Sequence, residues 1–294
     1  MNILVTGGNG FIGKHLVRDF NNCGHKVFLL KSNISNYASL QKEIENLNFD
    51  TVIHLAGLSH VTDHSPSLLY ETNVIGSQNV VLAIEKNYQK KKIFLASTCH
   101  VYADSKSPIS ETFPLGPKSH YAASKLAMEF ICNNTATRNK IVSLRLFNCI
   151  GIGQKENFFI PKIVKAHIQK EPVIHLGRLD IKREFNDVRW AVKIIRSLAE
   201  IDPPKGNYNI CSGEAFKASE MLRIVSEKTK HFPEIISNVE LLRPDEQSII
   251  VGEPTKTLNT LNQNGIRLRQ PPIRKILDDM ITEYKRQIDA QENL

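Results

Sequence analysis

A glycine-rich loop constrains the fold of this chain more than any other feature. Residues 6–13 read TGGNGFIG, directly after an apolar strand pattern at residues 3–6 and at the start of an amphipathic helix pattern over residues 11–22. Such a loop lets the backbone approach a pyrophosphate at the helix N-terminus, where free N–H groups and the helix dipole favour negative charge. We therefore predict a dinucleotide-binding site. The glycines of the loop are Gly7, Gly8, Gly10 and Gly13.

Strand and helix patterns alternate through the first half of the chain. The further apolar strand patterns lie at residues 26–30, 51–56, 92–97 and 142–146. Helix-like segments separate them, including a long helix predicted over residues 67–86 and one that opens near Tyr121. Alternation of this kind implies right-handed crossovers and a parallel sheet that is covered on both faces. The sequence therefore predicts an α/β fold with a Rossmann-type doubly wound parallel sheet.

The pattern changes after Asn148, where glycine and proline become frequent and the strand patterns shorten. We predict a dinucleotide-binding domain over residues 1–150 and a smaller α+β substrate-binding domain over residues 151–294. Residues 186–211 are expected to return to the first sheet. A helix is predicted over residues 216–230, within the second domain.

Composition limits the classes of protein to which the chain can belong. No segment approaches the ~20 apolar residues of a membrane span, so we expect no membrane partner. Five scattered cysteines without a CxxC pair favour reduced thiols, no metal site and a cytoplasmic location. The net charge is +8, but the lysines are dispersed, so we expect small anionic ligands such as nucleotides rather than nucleic acid.

The end of the second strand bears on which cofactor is used. In NAD-binding sites of this type, an acidic residue at this place holds the ribose hydroxyls. Here no Asp or Glu occurs between Asp19 and Glu43, and Lys31 and Ser32 occupy the place. A cation and a hydroxyl suit the 2′-phosphate of NADP better. The sequence therefore favours NADP(H) over NAD(H).

A tyrosine and a lysine four residues apart form a candidate catalytic pair. The pattern YxxxK occurs at Tyr121 and Lys125, where a helix is expected to begin, so both side chains would share one helix face. A lysine ammonium beside a tyrosine favours the phenolate and lowers the tyrosine pKa. Such a pair can exchange a proton with a carbonyl or an alcohol while a nicotinamide exchanges hydride. Two further matches, Tyr88/Lys92 and Tyr102/Lys106, do not open a helix in this way.

These motifs together resemble the extended short-chain dehydrogenases/reductases, the NAD-dependent epimerase/dehydratase family. The similarity covers TGGNGFIG, VIHLAG, NVIGSQNV, STCHVY, YAASK and RLFNCIG, in the family's order. The resemblance implies that Thr98, Tyr121 and Lys125 are catalytic and that Asn73 lies near the active site. It also implies that His54, Leu55 and Ala56 line the cofactor groove. The further cofactor contacts expected are Gly57, Phe11 and Ile12, beside Tyr121 and Lys125.

The second half is similar to the family's GDP-4-keto-6-deoxy-D-mannose reductases. The matching stretches are FNCIGIGQKENFFIPKI, REFNDVRWAV, YNICSG and LRPDEQ. The resemblance implies that Arg183 and Arg243 clamp the pyrophosphate of a nucleotide-sugar substrate, with Asn148 and Lys162 nearby; bidentate arginines suit that role. By analogy with the family, we also expect a homodimer.

The residues after Thr98 limit the reaction further. Dehydratases of the family carry two carboxylates there, but this chain has Cys99 and His100, so an elimination lacks its acid and base. The acid/base couple of the epimerase-reductases is also incomplete, because His100 and Phe158 stand where that group has cysteine and histidine.

We therefore expect an NAD(P)H-dependent reductase of the C4 ketone of a nucleotide-linked 4-keto-6-deoxyhexose, in deoxysugar biosynthesis. Thr98 and Tyr121 would bind the ketone, with Tyr121 as proton donor, and His100 would line the substrate site. A nucleotide-sugar 4-epimerase, an epimerase-reductase and a non-catalytic NADP-binding regulator remain as alternatives. Retention of Thr98, Tyr121 and Lys125 together argues against the regulator, which would need only the glycine loop.

Overall fold

The computed structural model describes residues 1–59, 65–238, 241 and 247–292, and a six-stranded parallel sheet forms its centre. The strands of this sheet are β1 (Asn2–Thr6), β2 (Lys26–Leu29), β3 (Thr51–His54), β4 (Lys92–Thr98), β5 (Lys140–Leu146) and β10 (Gly206–Ile210). Their order is β10-β5-β4-β3-β1-β2, and every neighbouring pair is parallel. The predicted α/β class is confirmed.

Helices cover both faces of this sheet. They are α1 (Phe11–Asn22), α2 (Tyr37–Ile44), α3 (Pro66–Tyr70), α4 (Ser77–Asn87), α5 (His120–Thr135) and α7 (Val188–Glu200). On one face, α1 packs against α7 around Leu16, Phe20 and Trp190. On the other face, α4 packs between α2 and α5, around Leu40 and Val80. The two faces therefore bury separate apolar clusters, as a doubly wound sheet requires.

The long helix predicted over residues 67–86 is not regular. Between α3 and α4 the chain forms a π-helical segment, Glu71–Gly76, so that one helical rod runs from Pro66 to Asn87 with wider turns in the middle. Such π-helical turns are rare in proteins, and those that occur often lie at functional sites. Here the segment contains Asn73, whose side chain is completely buried.

The second half of the chain builds a smaller layer at the carboxyl ends of the central strands. Its helices are α6 (Phe159–Ile168), α8 (Ala218–Thr229), α9 (Thr255–Asn262) and α10 (Ile273–Glu292). Its strands are β6 (Cys149–Ile150), β7 (Val173–Leu176), β8 (Lys182–Glu184), β9 (Asn186–Asp187), β11 (Ala215–Lys217), β12 (Glu234–Ser237) and β13 (Ile249–Ile250). These strands pair as β11-β8-β13, β12-β7 and β6-β9. Helices α6, α8 and α10 share a third apolar cluster, which includes Ile163, Met221 and Leu277.

Three elements of the second half pack on the first layer. Strand β10 joins the central sheet, α7 covers one of its faces, and α9, although it follows the strands of the second layer in the chain, packs Leu261 into the same apolar cluster. The helix predicted over residues 216–230 is preceded by a short strand, since Phe216 and Lys217 pair with β8 before α8 begins at Ala218. The domain boundary at residue 150 stays a prediction.

Candidate active site

The glycine loop is packed so tightly that side chains cannot be added at two of its positions. Gly7 has φ +68°, and a Cβ there would lie 2.6 Å from the amide nitrogen of Ala56. A Cβ on Gly13 would lie 2.2 Å from the carbonyl oxygen of Gly7. The loop also closes on itself through a hydrogen bond from the Gly10 amide to the Gly7 carbonyl, 3.0 Å. The loop backbone therefore forms a cradle at the N-terminus of α1. That helix begins with Phe11 and Ile12, and a helix N-terminus of this kind suits a pyrophosphate.

The floor of the cradle is fixed by a buried hydrogen-bond chain. The hydroxyl of Thr6 accepts a hydrogen bond from the Ala56 amide and is 2.7 Å from Nδ1 of His54. Nε2 of His54 is 2.8 Å from the Ser77 hydroxyl. Burial, with a smaller contribution from the charge of Lys125, lowers the pKa of His54 to about 3, so the ring is neutral. The expectation that His54 lines the cofactor groove is wrong for its side chain, because the ring is inside the fold.

At the end of β2, a carboxylate from α2 occupies the position for which the sequence offered no acid. The backbone amides of Lys31 and Ser32 donate to the two carboxylate oxygens of Glu43, at 2.9 and 2.8 Å. Burial acts to raise the pKa of Glu43, but the hydrogen bonds from Ser32 and Lys31 outweigh it, and the pKa lies below its ordinary value. Glu43 is therefore a fixed negative charge beside the exposed Lys31. Sequence reasoning missed this residue.

The π-helical segment places Asn73 at the inner end of the groove. Its Oδ1 accepts from the Leu58 amide at 2.8 Å, and its Nδ2 donates to the Leu58 carbonyl and to the Ser124 hydroxyl. Ser124 in turn donates to the carbonyl of Tyr121. Asn73 thus ties the loop after β3 to the first turn of α5. A Cβ on Gly57 would lie 2.8 Å from Oδ1 of Asn73 and 3.0 Å from Nζ of Lys125, so these groups are close neighbours.

Thr98 and Tyr121 meet where β4 ends and α5 begins. The Thr98 hydroxyl accepts from the His100 amide at 3.3 Å, which caps a short 3₁₀ turn over Cys99–Val101. Ser119 caps α5 through the amide of Ala122, which fixes Tyr121 in the first turn of the helix. Burial raises the pKa of Tyr121 to about 12, although a hydrogen bond with the Thr98 side chain acts to lower it. This direction is opposite to the one predicted from a neighbouring ammonium alone.

Lys125 is the buried cation of the site. Its Nζ donates to the carbonyl of Ala96 on β4 at 3.0 Å, one helical turn beyond Tyr121. Burial lowers the pKa of Lys125 to about 8, while Cys132 and Glu129 act to raise it. With this pKa, the Lys125 ammonium can release its proton near neutral pH. Strongly shifted groups of this kind cluster at functional sites.

Cys99 and His100, which stand in place of two carboxylates, differ in their surroundings. Cys99 is 1% exposed, and burial raises the pKa of its thiol to about 12, so it is neither a thiolate nor open to substrate. The ring of His100 is partly exposed, with its centroid 6.5 Å from that of Tyr121. His100 therefore lies beside Tyr121, and its place in a substrate site stays a prediction.

The predicted substrate-binding residues of the second half make separate backbone contacts. Arg183 is buried on β8, donates to the carbonyls of Lys182 and Gln247, and acts to lower the pKa of the Cys99 thiol. Lys162 donates to the carbonyl of His175 on β7. The carbonyl of Asn148 accepts from the Asn186 amide. Arg243 lies outside the described residues.

Two further features of the described part of the chain bear on other functions. Among those residues, no group of three or more His, Cys, Asp or Glu side chains could hold a metal ion. No helix there has the length and apolar character needed to cross a membrane.

Comparison with known proteins supplies the family. The sequence profile described as "NAD dependent epimerase/dehydratase family" matches residues 3–211. The chain belongs to this family. It is 34% identical over 288 residues to GDP-6-deoxy-D-talose 4-dehydrogenase from Aggregatibacter actinomycetemcomitans, covering 95% of this chain and 97% of the relative. It is 27% identical over 293 residues to GDP-6-deoxy-D-mannose reductase from Pseudomonas aeruginosa, covering 94% and 96%.

A solved structure agrees with the fold. The structure of RMD from Pseudomonas aeruginosa complexed with NADPH superimposes with a TM-score of 0.87 at 25% identity, and the match covers 97% of this chain and 99% of that one. The predicted family, the Rossmann-type fold and the enzyme class are confirmed: the chain is an oxidoreductase that uses a nicotinamide cofactor. The alternative of a non-catalytic regulator is set aside with them.

Proposed function

We propose that this enzyme reduces the C4 ketone of a GDP-linked 4-keto-6-deoxyhexose at the expense of NAD(P)H. The observation that carries the proposal is the cluster of Thr98, Tyr121 and Lys125, with no carboxylate at the two positions after Thr98. The cluster can bind a carbonyl oxygen and give it a proton. It offers no acid and base for removing a hydroxyl and a carbon-bound proton, which a dehydratase needs.

Each member of the cluster has a separate role. The nicotinamide cofactor, when bound, supplies the hydride for C4. Thr98 and Tyr121 hydrogen-bond the C4 oxygen, and the Tyr121 hydroxyl gives its proton to that oxygen as the ketone becomes an alcohol. Lys125 binds the nicotinamide ribose and stabilises the phenolate that Tyr121 leaves behind. Asn73 helps to position Tyr121 and Lys125 through its hydrogen bonds to Ser124 on α5 and to the loop at Leu58.

The protonation state of Tyr121 suits proton donation to a ketone. With a pKa raised to about 12, Tyr121 carries its proton throughout the neutral range and is ready to donate. Alcohol oxidation would instead need the phenolate as a base.

The names of the two relatives support a GDP-linked 6-deoxyhexose as the substrate class. One is named for GDP-6-deoxy-D-talose and the other for GDP-6-deoxy-D-mannose. These sugars differ only in configuration at C4, so oxidation of either at C4 gives the same ketone. We infer that this ketone, GDP-4-keto-6-deoxy-D-mannose, is the substrate here, and that Arg183, Arg243, Lys162 and Asn148 hold its GDP part.

The cofactor cradle is expected to use the glycine loop, Leu55, Ala56 and Gly57. The backbone at Gly7 and Gly13 packs so closely against Ala56 and the rest of the loop that only glycine fits, which supports contact between this bare backbone and the pyrophosphate. Among the residues at the end of β2, Lys31 offers an exposed cation to a 2′-phosphate, which supports NADP(H) over NAD(H), while Ser32 donates to Glu43.

The test is consumption of NADPH with GDP-4-keto-6-deoxy-D-mannose, beside the TDP- and UDP-linked 4-keto sugars and UDP-galactose. We expect rapid oxidation of NADPH only with the GDP substrate, and NMR of the product then assigns C4. Consumption with none of the ketones would contradict the proposal. Interconversion of UDP-galactose without net redox change would point to a 4-epimerase instead.

We further propose that the enzyme is a cytoplasmic homodimer. Its five cysteines are free, which suits a reducing compartment. Leu68, Ile75 and Leu82 are exposed at seven-residue intervals along the α3–α4 rod, and Phe130 on the adjoining α5 is 71% exposed. Replacing Phe130 by Asp is expected to turn a dimer into a monomer by size-exclusion chromatography with light scattering. A wild-type monomer would contradict this.

A further inference from the structure

The carboxylate of Glu43 accepts hydrogen bonds from the backbone amides and the hydroxyl that lie just after β2. It accepts from the amides of Lys31 and Ser32 at 2.9 and 2.8 Å, and from the Ser32 hydroxyl, which also lies 3.0 Å from the hydroxyl of Ser39. Glu43 comes from the last turn of α2, twelve residues after Lys31. An acceptor from a distant part of the sequence therefore fills a small set of anion-binding donors.

These donors stand where the adenosine ribose of a bound dinucleotide is held. In Rossmann folds the residue about 20 positions beyond the glycine loop, at the end of the second strand, contacts the ribose 2′ position. The glycine loop of this chain touches the end of β2, since a Cβ on Gly8 would lie 2.5 Å from Cδ2 of Leu29. The β1–β2 ladder continues one residue beyond β2 through the Leu30 amide and the Val5 carbonyl. Lys31 and Ser32 follow directly.

The ammonium of Lys31 and the carboxylate of Glu43 therefore place opposite charges at the end of β2. The exposed ammonium of Lys31 attracts a 2′-phosphate, whereas the Ser32 hydroxyl already donates to Glu43. Glu43 repels the same phosphate and already holds the backbone amides that would otherwise help to bind it. A ribose with a free 2′-hydroxyl meets no such repulsion, and it can donate to the carboxylate.

We propose that Glu43 determines the cofactor specificity of this enzyme: it opposes the 2′-phosphate that Lys31 attracts, so that NADPH and NADH both bind, with a modest preference for NADPH. The proposal rests on the assigned dinucleotide site and not on the sugar that is reduced. A charge several ångströms from a phosphate near the protein surface changes affinity by about tenfold. Removing the charge should therefore make the enzyme strongly selective for NADPH.

Binding of NADPH and NADH to the Glu43→Gln variant tests this without any sugar substrate. Dissociation constants are measured by cofactor fluorescence, and the isolated probes adenosine 2′,5′-bisphosphate and ADP are compared by calorimetry. We expect the preference for NADPH to increase about tenfold, with NADH changed less than about twofold. The increase should shrink at 1 M salt, because the site is partly exposed.

Two variants serve as controls. Glu45→Gln makes the same change in charge two residues away, at an exposed position, and should leave the preference unchanged. Glu43→Asp keeps the charge and should keep the wild-type preference, even if the shorter side chain loosens the loop. Thermal melting confirms that each variant is folded.

Two results would overturn the proposal. A shift in Glu43→Gln no larger than in Glu45→Gln would mean that the carboxylate does not sense the 2′-phosphate. Parallel weakening of NADPH and NADH would mean that Glu43 only supports the loop over residues 31–36. In either case the reductase assay could still succeed, so this failure is distinct from failure of the proposed reaction.

Discussion

The two ends of the cofactor groove are built in opposite ways. At the inner end, Lys125 and Asn73 are buried, and their side chains hydrogen-bond the carbonyl of Ala96 on β4 and the amide of Leu58. At the outer end, Lys31 is exposed, and its neighbours belong to a loop that a single carboxylate holds in place. Under the proposals above, proton transfer belongs to buried residues at the inner end, and the choice of cofactor to an exposed loop at the outer end.

This difference has an energetic consequence. Burial removes water that would screen charges, and it shifts the pKa of Tyr121 to about 12 and that of Lys125 to about 8. At the outer end water and salt weaken each interaction. We expect substitutions at the inner end to change rates by orders of magnitude, and those at the outer end to change affinities by about tenfold or less.

The largest effect is expected for Tyr121→Phe. Removing the proton donor should lower the rate of ketone reduction by about 10²–10⁴-fold, while the affinity for NADPH changes little. Steady-state kinetics and cofactor fluorescence measure the two quantities. Equal loss of binding and rate would show that Tyr121 is structural.

Tyr88→Phe is the matched control, because Tyr88 heads another YxxxK match. Its hydroxyl donates to the carbonyls of Ile44 and Leu47 and not to Thr98, Tyr121 or Lys125. We expect normal turnover and a loss of about 1 kcal/mol in the free energy of unfolding.

Gly13→Ala should have the next largest effect, at the middle of the groove. The added methyl group would lie 2.2 Å from the Gly7 carbonyl oxygen, so the loop must move away from its cradle shape. We expect NADPH affinity to fall about a hundredfold, since the backbone contacts to the pyrophosphate act together. Gly10→Ala, whose Cβ would lie 3.2 Å from the same oxygen, should be milder. If both variants bind NADPH normally, the loop does not hold the pyrophosphate.

The same contrast explains how much the sequence could predict. Alternating patterns are local, so the sheet, its helices and the start of α5 at His120, next to Tyr121, follow from short stretches of sequence. The motif order then identifies Thr98, Tyr121 and Lys125 with the family's active site. The structure brings these three to neighbouring elements, and their roles are open to the tests above.

What the sequence could not predict depends on long-range contacts and on burial. Glu43 reaches the end of β2 only because α2 folds back, and no local pattern marks that contact. The π-helical segment around Asn73 departs from a helix pattern that reads as regular. The rise in the pKa of Tyr121 comes mainly from burial, which the spacing of Tyr121 and Lys125 does not reveal.

A smaller effect is expected from pH. The folded pKa of Lys125 is about 8, so the lysine is charged below that value and neutral above it. If the charge stabilises the tyrosine phenolate, the reduction rate at saturating substrate should fall as the pH rises through about 8, by at most about tenfold per pH unit. Lys125→Arg keeps its charge at high pH and should lose this decline. A wild-type rate that stays constant up to pH 10 would contradict a role for the charge.

The smallest effect is expected for Lys31→Ala, at the outer end. Loss of an exposed ammonium should weaken NADPH binding by about threefold to tenfold and leave NADH unchanged, since exposed ion pairs contribute little. Lys42→Ala, an exposed lysine beside Glu43 on α2, is the matched control and should change neither affinity. Equal weakening of both cofactors would mean that Lys31 supports the loop and does not contact the 2′-phosphate. If Lys31→Ala instead abolishes NADPH binding, the outer end controls binding as strongly as the inner end controls rate, and the contrast between them fails.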